Sequence, residues 1–126
     1  KETVNQYPNL NFVTGVTSYL PLSPQNKTPI SRKFSNSEFW YEIYNSSIQL
    51  NAANQLHFYH KSKLVVAAER MPFMNILEPI IGDVVLGFGG MMGSNGTQEN
   101  RDVFTSLDGK FKVGTLICWE AEFGEF

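Results

Sequence analysis

Trp40-Tyr41-Glu42-Ile43-Tyr44-Asn45-Ser46-Ser47-Ile48-Gln49-Leu50-Asn51 is the stretch that decides the fold of this chain. Apolar and polar residues partly alternate along it, and aromatic and β-branched side chains are spread through it. That pattern predicts a strand over 40–51. Asn51–Asn54 is turn chemistry, and Gln55–His60 reads as a second short strand, so the two should form a hairpin.

Working outward, Leu10–Leu20 is rich in β-branched and aromatic residues and predicts another strand. Pro21–Ser35, with Pro21, Pro24 and Pro29, is a loop. Towards the other end, Val103–Leu107, the Asp108–Gly109 turn and Phe111–Ile117 predict a second hairpin. Helical pattern is confined to the edges: Glu2–Tyr7, Phe73–Leu86 with a break at Pro79, and a helix or turn starting at Glu120. Gly87–Gly96 is a glycine-rich loop holding Met91 and Met92. The class is α/β or α+β, a strand-rich chain with too few helices to cover its own sheet.

The bulk numbers bound the answer. A length of 126 residues allows one modest domain. With 42% apolar and 13% aromatic residues, the chain can build a core and is not a disordered segment. A net charge of −2 gives no basic excess, which argues against a nucleic-acid partner. Asn75–Gly93 is the longest apolar stretch, but Glu78, Pro79 and Asp83 interrupt it, which argues against a membrane span. The sequence begins inside what reads as the end of a helix, Glu2–Tyr7, and stops at Glu125–Phe126 with no closing cap chemistry, so it reads as a piece of a larger domain, truncated at both ends.

Cys118 is the single cysteine, so no intrachain disulfide can form. It lies where the apolar run Leu116-Ile117 gives way to Trp119-Glu120, at an expected strand-to-helix turn whose N–H groups would favour a thiolate. Lys61 and Lys63, in Tyr59-His60-Lys61-Ser62-Lys63-Leu64, are either a solvated basic strand end or ammonium groups turned inward beside that thiolate. Glu69 sits among apolar residues; it either pairs locally with Arg70 or a lysine, or orients a catalytic lysine from a buried position. Glu120, Glu122 and Glu125 read as an acidic first turn, with Glu120 close enough to Cys118 to act on it or on Lys61. His57 and His60 fall on opposite faces of their strand, so neither a Cys–His dyad nor a metal site is expected. The Gly87-Phe88-Gly89-Gly90 run lacks the ending of a phosphate loop, and no cofactor is expected.

The order of these pieces is itself informative. A strand ends in Tyr59-His60-Lys61-Ser62-Lys63-Leu64, a Glu follows eight residues after Lys61, and a later strand ends Ile117-Cys118-Trp119-Glu120. This resembles the nitrilase, or carbon–nitrogen hydrolase, superfamily, whose catalytic set is Glu, Lys and Cys with a second Glu nearby. Within it the chain is most similar to the apolipoprotein N-acyltransferase family. Phe12-Val13-Thr14-Gly15-Val16 and Tyr44-Asn45-Ser46-Ser47-Ile48 resemble that family's strands before the lysine motif, so the likeness extends over nearly the whole chain. Two departures stand out: Val66-Ala67-Ala68 replaces the family's Pro-Phe-Gly before Glu69, and Trp119 replaces the common Tyr.

The resemblance implies part of a nitrilase-like αββα sandwich, a strand-rich portion of one half. It implies that Cys118 is an acyl-carrying nucleophile. Lys61, with a backbone N–H after Cys118, would stabilise the oxyanion, and Glu69 and Glu120 would be supporting carboxylates. It puts the general-base Glu on a strand upstream of Leu10, absent from this chain. It also implies a phospholipid acyl donor, a diacylated lipoprotein acceptor, and a bacterial inner-membrane setting facing the periplasm, with the membrane held by helices outside this sequence. Leu86, Phe88, Met91, Met92 and Trp119 would then contact acyl chains, the first four from a mobile lid. The chain alone would be inactive and prone to self-association. The rival readings are a soluble nitrilase-family amidase using the same residues with water as acceptor, and a non-catalytic lipid- or partner-binding domain.

Overall fold

A computed structural model of the chain describes residues 6–7, 9–53, 55–66, 69–70 and 94–124. Strand β1 (Asn11–Leu22) pairs antiparallel with β3 (Trp40–Asn51) along its full length, from Asn11 opposite Asn51 to Leu22 opposite Trp40. The 3-10 turn Pro24–Asn26, with Pro24 at its start, begins the loop between them. The predicted strand at 40–51 therefore holds at both ends, and it is the centre of the sheet.

The far edge of β3 is covered in three pieces. Short β2 (Arg32–Lys33) pairs with Tyr41 and Trp40 at one end, and β4 (Leu56–His60) pairs with residues 46–50 at the other. Between them Gly96 bridges to Tyr44, and its N–H donates to the Ile43 carbonyl at 2.8 Å. A Cβ at Gly96 would overlap the Tyr44 ring, so only glycine admits this approach. The expected β3–β4 hairpin is present, with Asn51 closing the turn by accepting the N–H groups of Ala53 and Gln55.

The second hairpin joins β5 (Val103–Thr105) to β6 (Lys112–Gly114) through Asp108 and Gly109, the latter at φ +72°. Both strands are shorter than the sequence pattern predicts. The ladder ends at Gly114, and Thr115 instead bonds Ser47 on the main sheet, with the two hydroxyl oxygens 2.6 Å apart. Gln49 donates to the Thr105 carbonyl at 3.1 Å, so the hairpin lies against one face of the sheet. That face carries Ser47, Gln49, Asn51 and Tyr59, all buried. By register and alternation, Phe12, Leu56 and Phe58 share the opposite face, and all three are exposed.

Among the described residues the fold is thus sheet-rich with few helical elements, consistent with an α/β-type domain. The covered face of the sheet is lined by polar side chains held in hydrogen bonds, and an apolar stripe lies on the other face. Gln6 alone among the first residues is described as helical, and the segments read as a Phe73–Leu86 helix and a Gly87–Gly93 loop lie outside the described residues. Among the described residues no helix is long and apolar enough to cross a membrane.

Candidate active site

The site is built where three chain segments meet on the hairpin-covered face. The first follows β4. The ladder with β3 extends one step beyond His60, because the Lys61 N–H donates to the Asn45 carbonyl at 2.8 Å. This last rung turns Lys61 inward, and its side chain is wholly buried. Burying an ammonium demands a partner. Glu69 provides it, with Nζ 2.7 Å from Oε2.

The second segment is the turn after Lys61. The N–H groups of Glu69 and Arg70 both donate to the Val65 carbonyl, at 2.8 and 3.2 Å. The turn folds Glu69 back, so that its carboxylate accepts from the Val65 N–H at 2.8 Å as well as from Lys61. Its other oxygen accepts from the Asn45 side-chain amide. Glu69 is thus a fixed acceptor beside the lysine, eight residues away in sequence and bonded through side chains. Both sequence readings of Glu69 include a lysine partner, and Lys61 is that partner.

The third segment carries Cys118. Thr115–Ile117 leaves β6 and enters a 3-10 turn, Cys118–Glu122. Of the helix or turn expected from Glu120, the structure has the turn, begun two residues earlier: it is five residues long, and the dipole effect at its start is correspondingly weak. Cys118 itself has φ +54°, a left-handed backbone that costs an L-residue roughly 1–2 kcal/mol. It is exposed and unpaired. A strained, exposed elbow at a candidate nucleophile is the kind of local cost that functional sites retain.

Glu120 ties the third segment to the first. It is fully buried. Oε1 accepts from the Tyr59 hydroxyl at 2.8 Å, the Ser62 N–H at 2.7 Å, the Ser62 hydroxyl at 3.1 Å and the Lys63 N–H at 3.4 Å. Oε2 accepts from the Ile117 N–H at 2.8 Å. Burial pushes the Glu120 carboxyl up, but the Ile117 and Ser62 N–H groups and the Tyr59 and Ser62 hydroxyls outweigh it, leaving the group below its ordinary value. Glu120 is therefore a carboxylate at neutral pH. Its donors lie on either side of Lys61 and just before Cys118, so it brackets the two candidate residues. The tyrosine moves the opposite way: burial pushes the Tyr59 phenol up, as does its bond to Glu120.

All four candidate catalytic residues have described positions: Lys61 and Glu69 form one bonded pair, Glu120 holds the adjoining Ser62 in a second cluster, and Cys118 heads the turn that Glu120 anchors. Lys63 is turned away from this set, 5.7 Å over the Phe123 ring. Trp119 is partly exposed and packs edge-on against Phe123, with ring centroids 5.8 Å apart. Leu86, Phe88, Met91 and Met92 lie outside the described residues. Asn45, Tyr59 and Ser62 take part in the network but carry no role in the sequence reading. Their signal is register: Asn45 and Tyr59 fall on the Lys61 face by strand alternation. His60 points the other way, with its Nδ1 2.7 Å from the Ser46 hydroxyl oxygen, and burial pushes its pKa down.

Against this geometry, the chain matches no known protein-family model, no curated protein and no solved structure.

Proposed function

We propose that this chain carries the nucleophile and the oxyanion-stabilising lysine of a nitrilase-type acyltransferase. The observation that carries the reading is the wholly buried Lys61, held by Glu69 and linked through Glu120 to an exposed Cys118 in a left-handed elbow. A half-buried carboxylate paired with a wholly buried lysine and a fully buried carboxylate anchoring the cysteine turn are more than a fold of this size needs for stability, since buried ion pairs contribute little net free energy.

In this reading Cys118 Sγ attacks the ester carbonyl of a phospholipid acyl chain. The acyl C–O bond breaks, a lysophospholipid hydroxyl leaves with a proton, and a thioester forms on Cys118. The amine of a diacylated lipoprotein cysteine then attacks, the C–S bond breaks, and an amide forms as the amine gives up a proton. Lys61 donates to the oxyanion in both steps, together with the Trp119 N–H. Neither Glu69 nor Glu120 is placed to take the thiol proton, because both oxygens of each already accept from Lys61, Asn45 and Val65 or from the Glu120 donors. By resemblance that base is a glutamate upstream of Leu10. The sheet-and-hairpin arrangement is read as part of an αββα sandwich, and the inner-membrane, periplasm-facing setting follows from the same resemblance.

The test is to incubate the protein carrying this sequence with radiolabelled phospholipid and trap the intermediate on Cys118 by mass spectrometry. A thioester lost in Cys118→Ala and discharged by a lipopeptide amine supports acyl transfer. Discharge to water alone, or turnover of simple amides, selects the amidase instead. Full function in Cys118→Ala refutes both. The 126-residue chain by itself is expected to form no thioester.

A further inference from the structure

Ser47 and Tyr59 stand directly opposite each other on β3 and β4, so their side chains share the hairpin-covered face. Both are buried, and each reaches from the sheet to the segment that carries Cys118. The Ser47 hydroxyl oxygen lies 2.6 Å from that of Thr115, on the N-terminal side of the cysteine. The Tyr59 hydroxyl donates to Glu120 Oε1 at 2.8 Å, on the C-terminal side. One cross-strand pair thus holds the chain on both sides of the candidate nucleophile.

Between the two holds the chain closes on itself. The Glu120 N–H donates to the Ile117 carbonyl at 3.2 Å, and the Glu120 carboxylate accepts from the Ile117 N–H at 2.8 Å. Cys118 and Trp119 form the apex of this small loop. Cys118 is exposed there, at φ +54°. Cysteine has none of glycine's freedom in the left-handed region, so such a backbone persists only where its surroundings over-determine it. The base of the loop supplies that constraint. A buried hydroxyl that loses its partner is penalised, so neither Ser47 nor Tyr59 lets go of the loop without cost. Their spacing is fixed in turn by the β3–β4 ladder, which runs from Ser46 opposite His60 to Leu50 opposite Leu56. Groups carried on strands are held more closely than groups carried on loops.

We propose that Ser47 and Tyr59 are positioning residues for Cys118: by holding Thr115 and Glu120 they let the sheet set the strained apex and, with it, the direction of the thiol. The inference rests on the acyl-transfer reading above and adds the two residues that aim its nucleophile. Neither touches the reacting atoms; each acts through the loop.

The test uses the protein carrying this sequence and two substitutions that each remove one hydroxyl, Ser47→Ala and Tyr59→Phe, with Ser47→Thr as the conservative control. Each deletion should slow single-turnover thioester formation on Cys118 at least about tenfold, while the donor concentration giving half the maximal rate stays within about twofold of the parent. Ser47→Thr keeps a hydroxyl and should stay within about threefold of the parental rate. Alkylation of Cys118 by iodoacetamide needs only an accessible thiol and should change by less than about threefold in every variant. Hydrogen exchange followed by mass spectrometry should quicken across residues 115–122 in both deletions and stay parental in β1. Parental acylation in either deletion variant overturns the assignment of that residue. Equal losses of acylation and alkylation overturn the proposal, because they make the pair a support of the fold alone. The two readings fail separately. If the parent forms no thioester, acyl transfer fails and the hold on the loop is judged by exchange: faster exchange across 115–122 keeps it, and unchanged exchange removes it.

Discussion

Replacing Glu120 with Gln is the sharpest test of the network, because it changes one atom and almost no volume. The amide oxygen keeps its place most favourably at the crowded Oε1 position, where Tyr59, Ser62 and Lys63 donate. The amide nitrogen then faces the Ile117 N–H, donor against donor, in place of a 2.8 Å bond to a carboxylate. A lost charge-assisted bond costs about 1.5–3 kcal/mol, and the stranded N–H about 1–3 kcal/mol more. The expected total is roughly 2.5–6 kcal/mol, a large part of the roughly 5–15 kcal/mol that holds a typical domain folded. Urea unfolding followed by tryptophan fluorescence reads it out, since Trp119 adjoins the substituted residue. The pH dependence adds a second arm. The folded-state pKa of Glu120 lies below the ordinary 4.5, so its contribution is fully present above that value and is lost as pH falls through the lower, folded value. The gap between parent and variant should therefore close in acid. A loss under about 1 kcal/mol at neutral pH, or a gap that persists unchanged into strong acid, would refute this account of Glu120.

Four further outcomes are expected. Lys61→Met should destabilise the fold by about 3–5 kcal/mol by leaving Glu69 without its cation, whereas Lys61→Met with Glu69→Gln should recover much of that loss and no acyl transfer; chemical denaturation and thioester trapping together check this. Cys118→Gly should melt no lower than the parent, gaining up to about 1 kcal/mol from relief of the left-handed backbone while losing the thioester, and a clear drop in Tm would contradict the strain assigned to φ +54°. Phe12→Ser with Phe58→Ser should shift sedimentation velocity profiles towards the monomer, since both lie on the exposed stripe; an unchanged distribution would show that this face does not drive association. Glu42 should act alongside Glu120 in acid: burial raises it, yet Thr28, Tyr44 and Ser31 hydroxyls pull it below 4.5, so Glu42→Gln should flatten the loss of stability as pH falls through that region.

How much of this was legible differs from element to element. The strand at 40–51 was fully legible, because its pattern and the Asn51–Asn54 turn agree. The second hairpin was legible in its turn but not in its length: the bond from Thr115 to Ser47 joins residues 68 apart and leaves no local trace. The elbow at Cys118 followed from the change of composition, although its left-handed backbone did not, since nothing in Ile117-Cys118-Trp119 favours positive φ. Charge alone left Lys61 open between solvent and interior, and only the order of motifs pointed inward. The polar character of the buried face was not legible at all. Nothing in the alternation of the strand says which of its faces is covered; Ser47, Gln49 and Asn51 are buried with hydrogen bonds to Thr115, the Thr105 carbonyl and the hairpin turn.

The span of the Glu120 contacts has a consequence for assembly. Tyr59 and Glu120 are 61 residues apart, so their bond closes only after a long loop has been drawn together. A partly folded chain with β1, β3 and β4 paired still lacks the turn that holds Cys118, because the Glu120 bonds to Tyr59, Ser62 and Ile117 close only when the last segment docks. In the acyltransferase proposed above, the lysine and cysteine segments would therefore come together last.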